Sequence, residues 1–358
     1  MNQEGYFQNY FHDPKNQFTI GQNSVRFIFR DRQDGMWLGT FYGGMSYYHD
    51  RLISFNTLVQ SSVMPSLNDD VVNVIKQDGS GNFWIGTESG GVNYWDPLTR
   101  QIRYYTSNRT GGGLSSNTIK SIEFDNSGNV FLGTHNTGLN ILNPATGAVK
   151  NYRHIPGDTS GLSGNMVYAL LRDHMGRMWV GTRNGLDIYN PGTDRFTHFY
   201  RDNTGRSISA TEITYLMQDS RKRIWIGTIN GVSVLDTDKG MLKNISNSSL
   251  SYNVINVITE DHQKRIWVGT RDGLNLYDER TQTFTNYNNR PDLLKGNINS
   301  VVADPIGNLW ITTNNSLVKY TPDTRSIIYY DQRDGLQNNQ FNVYAGLSAR
   351  DGMLLFGG

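Results

Sequence analysis

Gly269-Thr270-Arg271-Asp272-Gly273 joins two alternating apolar runs in the stretch RIWVGTRDGLNLYD, residues 265–278. Glycine followed by Thr and charged residues can form a phosphate cradle, because bare backbone N–H groups close readily on an anion. That chemistry needs a Gly-Lys-Ser/Thr ending and a helix behind it, and neither follows Gly273. Other sources of chemistry are thin. The seven histidines form no H-x-x-x-H pair, cysteine is absent, and no G-x-S-x-G marks an activated serine. The expectation is a chain with no catalytic residue, no metal and no cofactor, although distant loops can assemble a site that no motif announces.

Carboxylates are plentiful but ordered. Asp31, Asp78, Asp125, Asp173, Asp219, Asp261 and Asp304 each stand six residues before an aromatic: Trp37, Trp84, Phe131, Trp179, Trp225, Trp267 and Trp310. Successive aromatics are 47, 47, 48, 46, 42 and 43 residues apart, and Leu355 takes an eighth place 45 beyond Trp310. A fixed offset at a fixed period is a structural repeat. An Asp at this place can accept a backbone N–H of its own turn, so these carboxylates read as turn formers rather than acid–base pairs. Their D-x-x-G-x-x-W spacing also differs by one residue from the Asp-box of sialidase propellers, which speaks against a glycosidase.

Each repeat reads as four short strands. An apolar run such as VINVITE (254–260) leads into the Asp turn, and a WVGT-type strand follows. The next turn carries Asn-Gly or Asp-Gly, as at 184–185 and 272–273, a pair suited to a type I′ hairpin. A third strand such as LDIYN, a Pro/Thr/Gly turn and a fourth strand such as FTHF (196–199) complete the unit. Four antiparallel strands at this period specify an all-β fold, a β-propeller, whose blades bury their faces against one another. The 38 glycines and 12% aromatic content agree with it. Repeat units are expected at about 24–57, 71–106, 118–153, 166–200, 212–246, 254–288 and 298–330, all within a single propeller domain spanning 1–358. A partial unit at 341–358 and a lone strand at 6–10 remain. Seven blades are expected, or eight if the lone strand pairs with 341–358; a cut from a longer protein would also explain these ends.

A net charge of +1 gives no support for a nucleic-acid or membrane-surface partner. No apolar run approaches the roughly 18 residues of a membrane-spanning helix, so any membrane association is expected through segments outside this chain. Cysteine-free sequences occur in every compartment, so composition leaves localisation open.

Strand alternation places the turns after strands two and four on one rim, together with long polar loops such as 106–117 and 153–165. Five residues before each Asp stand Arg26, Asn73, Lys120, Tyr168, Thr214, Asn256 and Asn299. One polar residue per innermost strand would ring the channel mouth on that rim, facing either channel water or a ligand. The turn tips add Tyr42, Glu88, His135, Arg183, Asn184, Arg271 and Asp272 as candidate contacts.

The unit D-x-x-G-x-[LF]-W-[IV]-G-T-x-x-G-[LV], with His12–Pro14 and Gly161–Ser163 in the inter-blade loops, resembles the two-component regulator propeller repeat. The tail DGLQNNQFNVYAGLSARDGMLLFGG (334–358) is similar to the last blade of that family. The resemblance implies the periplasmic sensor region of a Bacteroidetes hybrid two-component system. In that family two propellers precede a Tyr-rich immunoglobulin-like domain, a membrane helix and a histidine kinase. It implies an oligosaccharide ligand and control of polysaccharide-utilisation genes through a kinase outside this chain; a homodimer is a candidate assembly, with its part in signalling left open. The alternatives are a propeller-fold polysaccharide lyase or hydrolase and, third, a protein-interaction scaffold.

Overall fold

The computed structural model describes residues 11–12, 20–32, 36–48, 55, 57–58, 66–108, 113–200, 204–245, 247–287, 296–336 and 340–358. The expected strand at 6–10 lies outside these residues. The chain forms two compact units, one within 1–57 and 331–337, the other within 58–330 and 338–358.

The larger unit contains six four-stranded antiparallel sheets, each a simple meander of consecutive strands. We number them blades I to VI: 72–105, 119–152, 167–199, 213–244, 255–286 and 298–330. A two-stranded hairpin, Gly346–Ser348 with Leu354–Phe356, follows them. In every blade the first two strands share a bulge one residue in from the rim, for example between Val72 and Val74.

Blade packing explains the repeated glycine. A Cβ placed on Gly86 would fall 2.8 Å from Ile119 of blade II, and one on Gly133 would fall 2.7 Å from Val167 of blade III. Gly181, Gly227 and Gly269 meet Ile213, Ile255 and Ile298 of the following blades in the same way. The last member is Gly357 of the hairpin, whose Cβ would lie 2.5 Å from Val72 of blade I. Close backbone approach at these six seams is what only glycine permits, whereas Thr312 holds this place at the seam between blade VI and the hairpin. The hairpin thus fills the seventh position and closes the ring. Its Leu347 and Leu355 pack with Val72, Phe83 and Ala345, while Trp84 packs with Ile119 and Leu132 at the next seam.

Seven blade positions agree with the sequence expectation, but their membership differs from it. The repeat at 24–57 belongs to the smaller unit, where Val25–Arg30, Met36–Thr40 and Met45–Tyr48 form a three-stranded sheet. All six residues of its first strand are exposed, whereas the matching strand of blade I buries Val72, Asn73, Val74 and Ile75. The single domain expected over 1–358 is likewise divided into two units. Period alone cannot distinguish a blade of this ring from one outside it.

The Asp–aromatic offset has a direct cause. Each Asp carboxylate uses Oδ1 to accept turn N–H groups, as Asp78 does from Ser80 and Asn82. Its Oδ2 accepts the indole N–H six residues on: Trp84 at 3.1 Å, Trp179, Trp225 and Trp267 at 2.8 Å, Trp310 at 3.0 Å. In the Phe131 copy Asn129 donates to Asp125 instead. The Thr of each Gly-Thr pair closes the following loop: Thr182 Oγ1 donates to Gly185 O and accepts from Asn184 N. Because of this closure Asn184, Asn230 and Asp272 avoid positive φ, so the expected type I′ turn is replaced by a Thr-capped loop.

Burial would raise the Asp173 carboxyl, but its bonds from Trp179 and Arg177 outweigh that and hold it below its usual range. Asp304 is lowered in the same balance by Asn308 and Trp310. The unfolded chain therefore takes up protons first as pH falls below about 4. Stability is full above that pH and is lost as pH drops through the lower folded values. Thermal midpoints measured from pH 7 to pH 2.5 are expected to fall steeply at the acid end, and Asp173→Asn should flatten that limb.

Candidate functional site

The rim is defined by backbone bonds. The first N–H of each tip donates to the carbonyl just before the first strand of its own blade: Glu88 to Val71, His135 to Thr118, Arg183 to Met166, Arg271 to Val254. Tips, starts of the innermost strands and ends of the inter-blade loops therefore share one edge of the ring.

The ring residues divide into two groups. Asn73 Nδ2 donates to Ile119 O at 3.1 Å, Asn256 Nδ2 to Ile298 O at 2.9 Å and Asn299 Nδ2 to Phe341 O at 2.6 Å. Each of these bonds crosses to the following blade, so these asparagines staple the ring. Lys120 reaches back instead to Glu88, at 2.6 Å. Tyr168 donates to Met166 Sδ of its own blade, and burial raises its phenol. Thr214 is 7% exposed, and its Oγ1 has no partner among the described residues. Arg26 lies in the smaller unit, its guanidinium 4.2 Å from the Phe41 ring centre.

Two rim residues of the hairpin, Asn342 and Tyr344, were not among the sequence candidates. Ala349 holds the place of the repeated Asp, since Ala349 N bonds Met353 O as Asp78 N bonds Asn82 O. Asn342 then completes the staples, donating through Nδ2 to Val72 O at 2.9 Å. The available signal was an apolar-Asn pair, Phe341-Asn342, matching Val72-Asn73, Ile255-Asn256 and Ile298-Asn299. Val343 and Tyr344 are additional in the bulge, and Tyr344 has φ +74°. Its ring stacks on Tyr215 at 5.8 Å.

The tips meet the ring. Glu88 accepts from both Asn73 and Lys120, and those bonds outweigh burial to lower its carboxyl. The His135 ring lies 6.3 Å from that of Tyr168, and its buried Nδ1 has no partner among the described residues. Arg183 pairs with Glu212 at 3.4 Å. Asn184 and Arg271 are held at the rim by their backbone N–H groups, and Asp272 accepts from Gly296 N at 3.4 Å. Tyr42 lies in the smaller unit and is 82% exposed.

Beneath the rim the first strands enclose a central cavity of about 360 Å³, lined among others by Lys76, Lys120, Tyr168, Tyr215 and Tyr344. Lys76 pairs with Glu123 at 3.0 Å, and that charge raises its ammonium despite burial. Burial pushes up the phenols of Tyr215 and Tyr344. Tyr215 occupies the place where neighbouring blades carry Val74, Ser121, Ala169 and Val257, so two stacked phenols partly fill the cavity.

One cluster resembles a nucleophilic triad. Asp187, fully buried, accepts from Ser163 N and Oγ at 2.8 Å and faces His198 Nδ1 at 2.7 Å. The carboxylate lies between serine and histidine, whereas general-base activation needs the imidazole there. Asn140 and Asn275 make the same loop contacts to Ser115 and Ser251, so the cluster is a blade-to-loop tie.

Four segments, 66–89, 161–184, 207–230 and 249–272, match the profile of the two component regulator propeller. Each begins in the loop before a first strand and ends at the tip after the second, so the chain carries these repeats across the rim described above. No curated protein matches the chain in sequence. Among solved structures it is similar to the extracellular domain of a putative hybrid two component system from B. thetaiotaomicron. The TM-score is 0.75 and the identity 24%, over 98% of this chain and 46% of that one. A second such B. thetaiotaomicron domain gives 0.68 and 18%, over 98% and 47%. Virginiamycin B lyase from Staphylococcus aureus gives 0.54 and 16%, over 74% and 85%. The chain thus spans about half the length of the two sensor domains, and these likenesses concern the fold.

Proposed function

We propose that this chain is the sensor propeller of a longer, membrane-anchored two-component protein. It is non-catalytic, works in the periplasm and recognises oligosaccharides released from complex glycans. Binding regulates polysaccharide-utilisation genes through a kinase elsewhere in the parent, by way of a following Tyr-rich immunoglobulin-like domain and a homodimer. The observation that carries this reading is the repeat match, which falls on the rim-forming half of the blades and accompanies a fold resembling extracellular sensor domains. The rim itself offers tyrosines beside amides and charged groups, a combination suited to sugar faces and hydroxyls.

Calorimetry with a glycan panel tests the sensor, using this chain and a chain extended through the segment that follows it. Saturable binding of at least one oligosaccharide is expected; no heat with any glycan for either protein ends the proposal. The lyase-like fold favours a second reading, a polysaccharide lyase or hydrolase. Incubation with the parent polysaccharides should release no oligosaccharide product, and a new unsaturated or reducing end would establish the enzyme instead.

A further inference from the structure

The four asparagine staples are consecutive. They join blade V to VI, VI to the hairpin, the hairpin to I, and I to II. At the remaining three seams the equivalent residues Lys120, Tyr168 and Thr214 make no such bond to the following blade. Half of the rim therefore spends its ring residues on holding blades together, and half does not; at the seam between blades II and III Ser121 Oγ, one residue further along, donates to Val167 O at 3.2 Å in place of Lys120. Among the described residues the two orphaned polar atoms of the rim, His135 Nδ1 and Thr214 Oγ1, both belong to the half without asparagine staples.

A cleft of about 400 Å³ opens on this half, at the seam between blades II and III. It is lined by Asn136, His154, Asn165, Met166, Arg183 and Asn184. The backbone sets these groups firmly: Asn165 Oδ1 accepts from His154 N at 2.8 Å, and Asn184 N is tied to the Thr182 cap. His154 Nδ1 lies 2.9 Å from Leu162 O, a carbonyl that can only accept, so Nδ1 carries the proton and Nε2 of the neutral ring is an acceptor. The carboxamide NH₂ of Asn165 and the carboxamides of Asn136 and Asn184 have no partner among the described residues. Arg183 is neutralised by Glu212 and touches Met166 Sδ, which also takes the Tyr168 hydroxyl.

We propose that this cleft is the subsite for one neutral sugar ring of the ligand, an inference that rests on the oligosaccharide-sensing function above. Carboxamides present a donor and an acceptor side by side, which matches neighbouring hydroxyls on a pyranose or furanose. Met166 supplies an apolar surface next to them. The charge on the cleft wall is already paired, so a carboxylate on the sugar has no unpaired cation to meet there. Asn297, Asn299 and Asn314 on the stapled half are bonded among themselves and remain outside the site.

The test is calorimetry on the 358-residue chain with neutral oligosaccharides of gluco, galacto, manno, xylo and arabino configuration, and with matched uronate-bearing ones. Asn136→Ala and Asn184→Ala should each weaken the best neutral ligand by about tenfold, the loss of one or two hydrogen bonds. Asn314→Ala should leave it within about twofold. Asn136 is exposed, so its variant reports on binding even if Asn184→Ala lowers stability. Unchanged affinity in Asn136→Ala with intact oligosaccharide binding overturns the cleft and leaves the sensor function standing. Binding confined to uronate-bearing ligands overturns the neutral subsite. Absence of any glycan binding by this chain overturns the cleft, and its absence in the extended chain as well removes both.

Discussion

Trp225→Ala will lower stability by about 3–5 kcal/mol, the cost of emptying a large buried aromatic site. Trp225 is 0% exposed, and its indole N–H donates to Asp219 at 2.8 Å. Arg223 stacks over the same ring at 5.4 Å and bonds Asp219 at 2.7 Å. Truncation therefore opens a cavity and also strips one donor from a buried carboxylate. Trp225→Phe separates the two effects, because Phe131 shows that a blade can be built on phenylalanine when another donor serves the Asp. That variant should lose about 1–2 kcal/mol, the scale of one hydrogen bond to a charged group. Urea unfolding followed by fluorescence and by circular dichroism measures both. A loss below about 1 kcal/mol in Trp225→Ala would mean that the aromatic is not the wedge between blades.

Gly357→Val is expected to damage one seam rather than one residue. The new Cβ would press on Val72 at 2.5 Å and on Ala345 at 3.1 Å, in the packing that joins the hairpin to blade I. Overpacking of this kind costs about 1–3 kcal/mol. Hydrogen exchange should quicken first in 72–77 and 341–358, while blades III and IV stay protected. Removing 341–358 altogether should have the largest effect, because the buried first strand of blade I would lose its cover. That variant is expected to unfold without a single cooperative transition and to aggregate. Equal protection at all seams in Gly357→Val would argue against closure by the hairpin.

The blades were legible because their pattern is local. An Asp, a turn, a Trp and a Gly-Thr lie within ten residues, and one geometry satisfies them each time. The reason for the Asp–Trp offset was not legible, since nothing in spacing says that one carboxylate serves both turn and indole. Closure was misallocated for a similar reason: Val25 and Val72 look alike as letters, but only Val72 meets a glycine from a preceding blade position. Tips and strand starts of the ring share one edge, as strand alternation requires, while Arg26 and Tyr42 belong to the smaller unit. The division of the ring positions into stapling and non-stapling residues depends on reach across a seam, and the two additional residues of the hairpin's bulge put Asn342 out of register with the repeat. The cleft at 136–184 was hidden because its residues come from two tips and a loop, which no single repeat contains.

The bond from Asn342 to Val72 joins residues 270 apart in the chain. Every other seam of the ring joins neighbours in sequence and can form as soon as two blades exist. This one waits for residues 341–358, so a growing polypeptide must carry an open arc of finished blades until this hairpin arrives. Late, long-range closure is slow because the whole loop must be brought together before any contact rewards it. The seam between the hairpin and blade I is then the last to form during synthesis and the natural place for the ring to part under load.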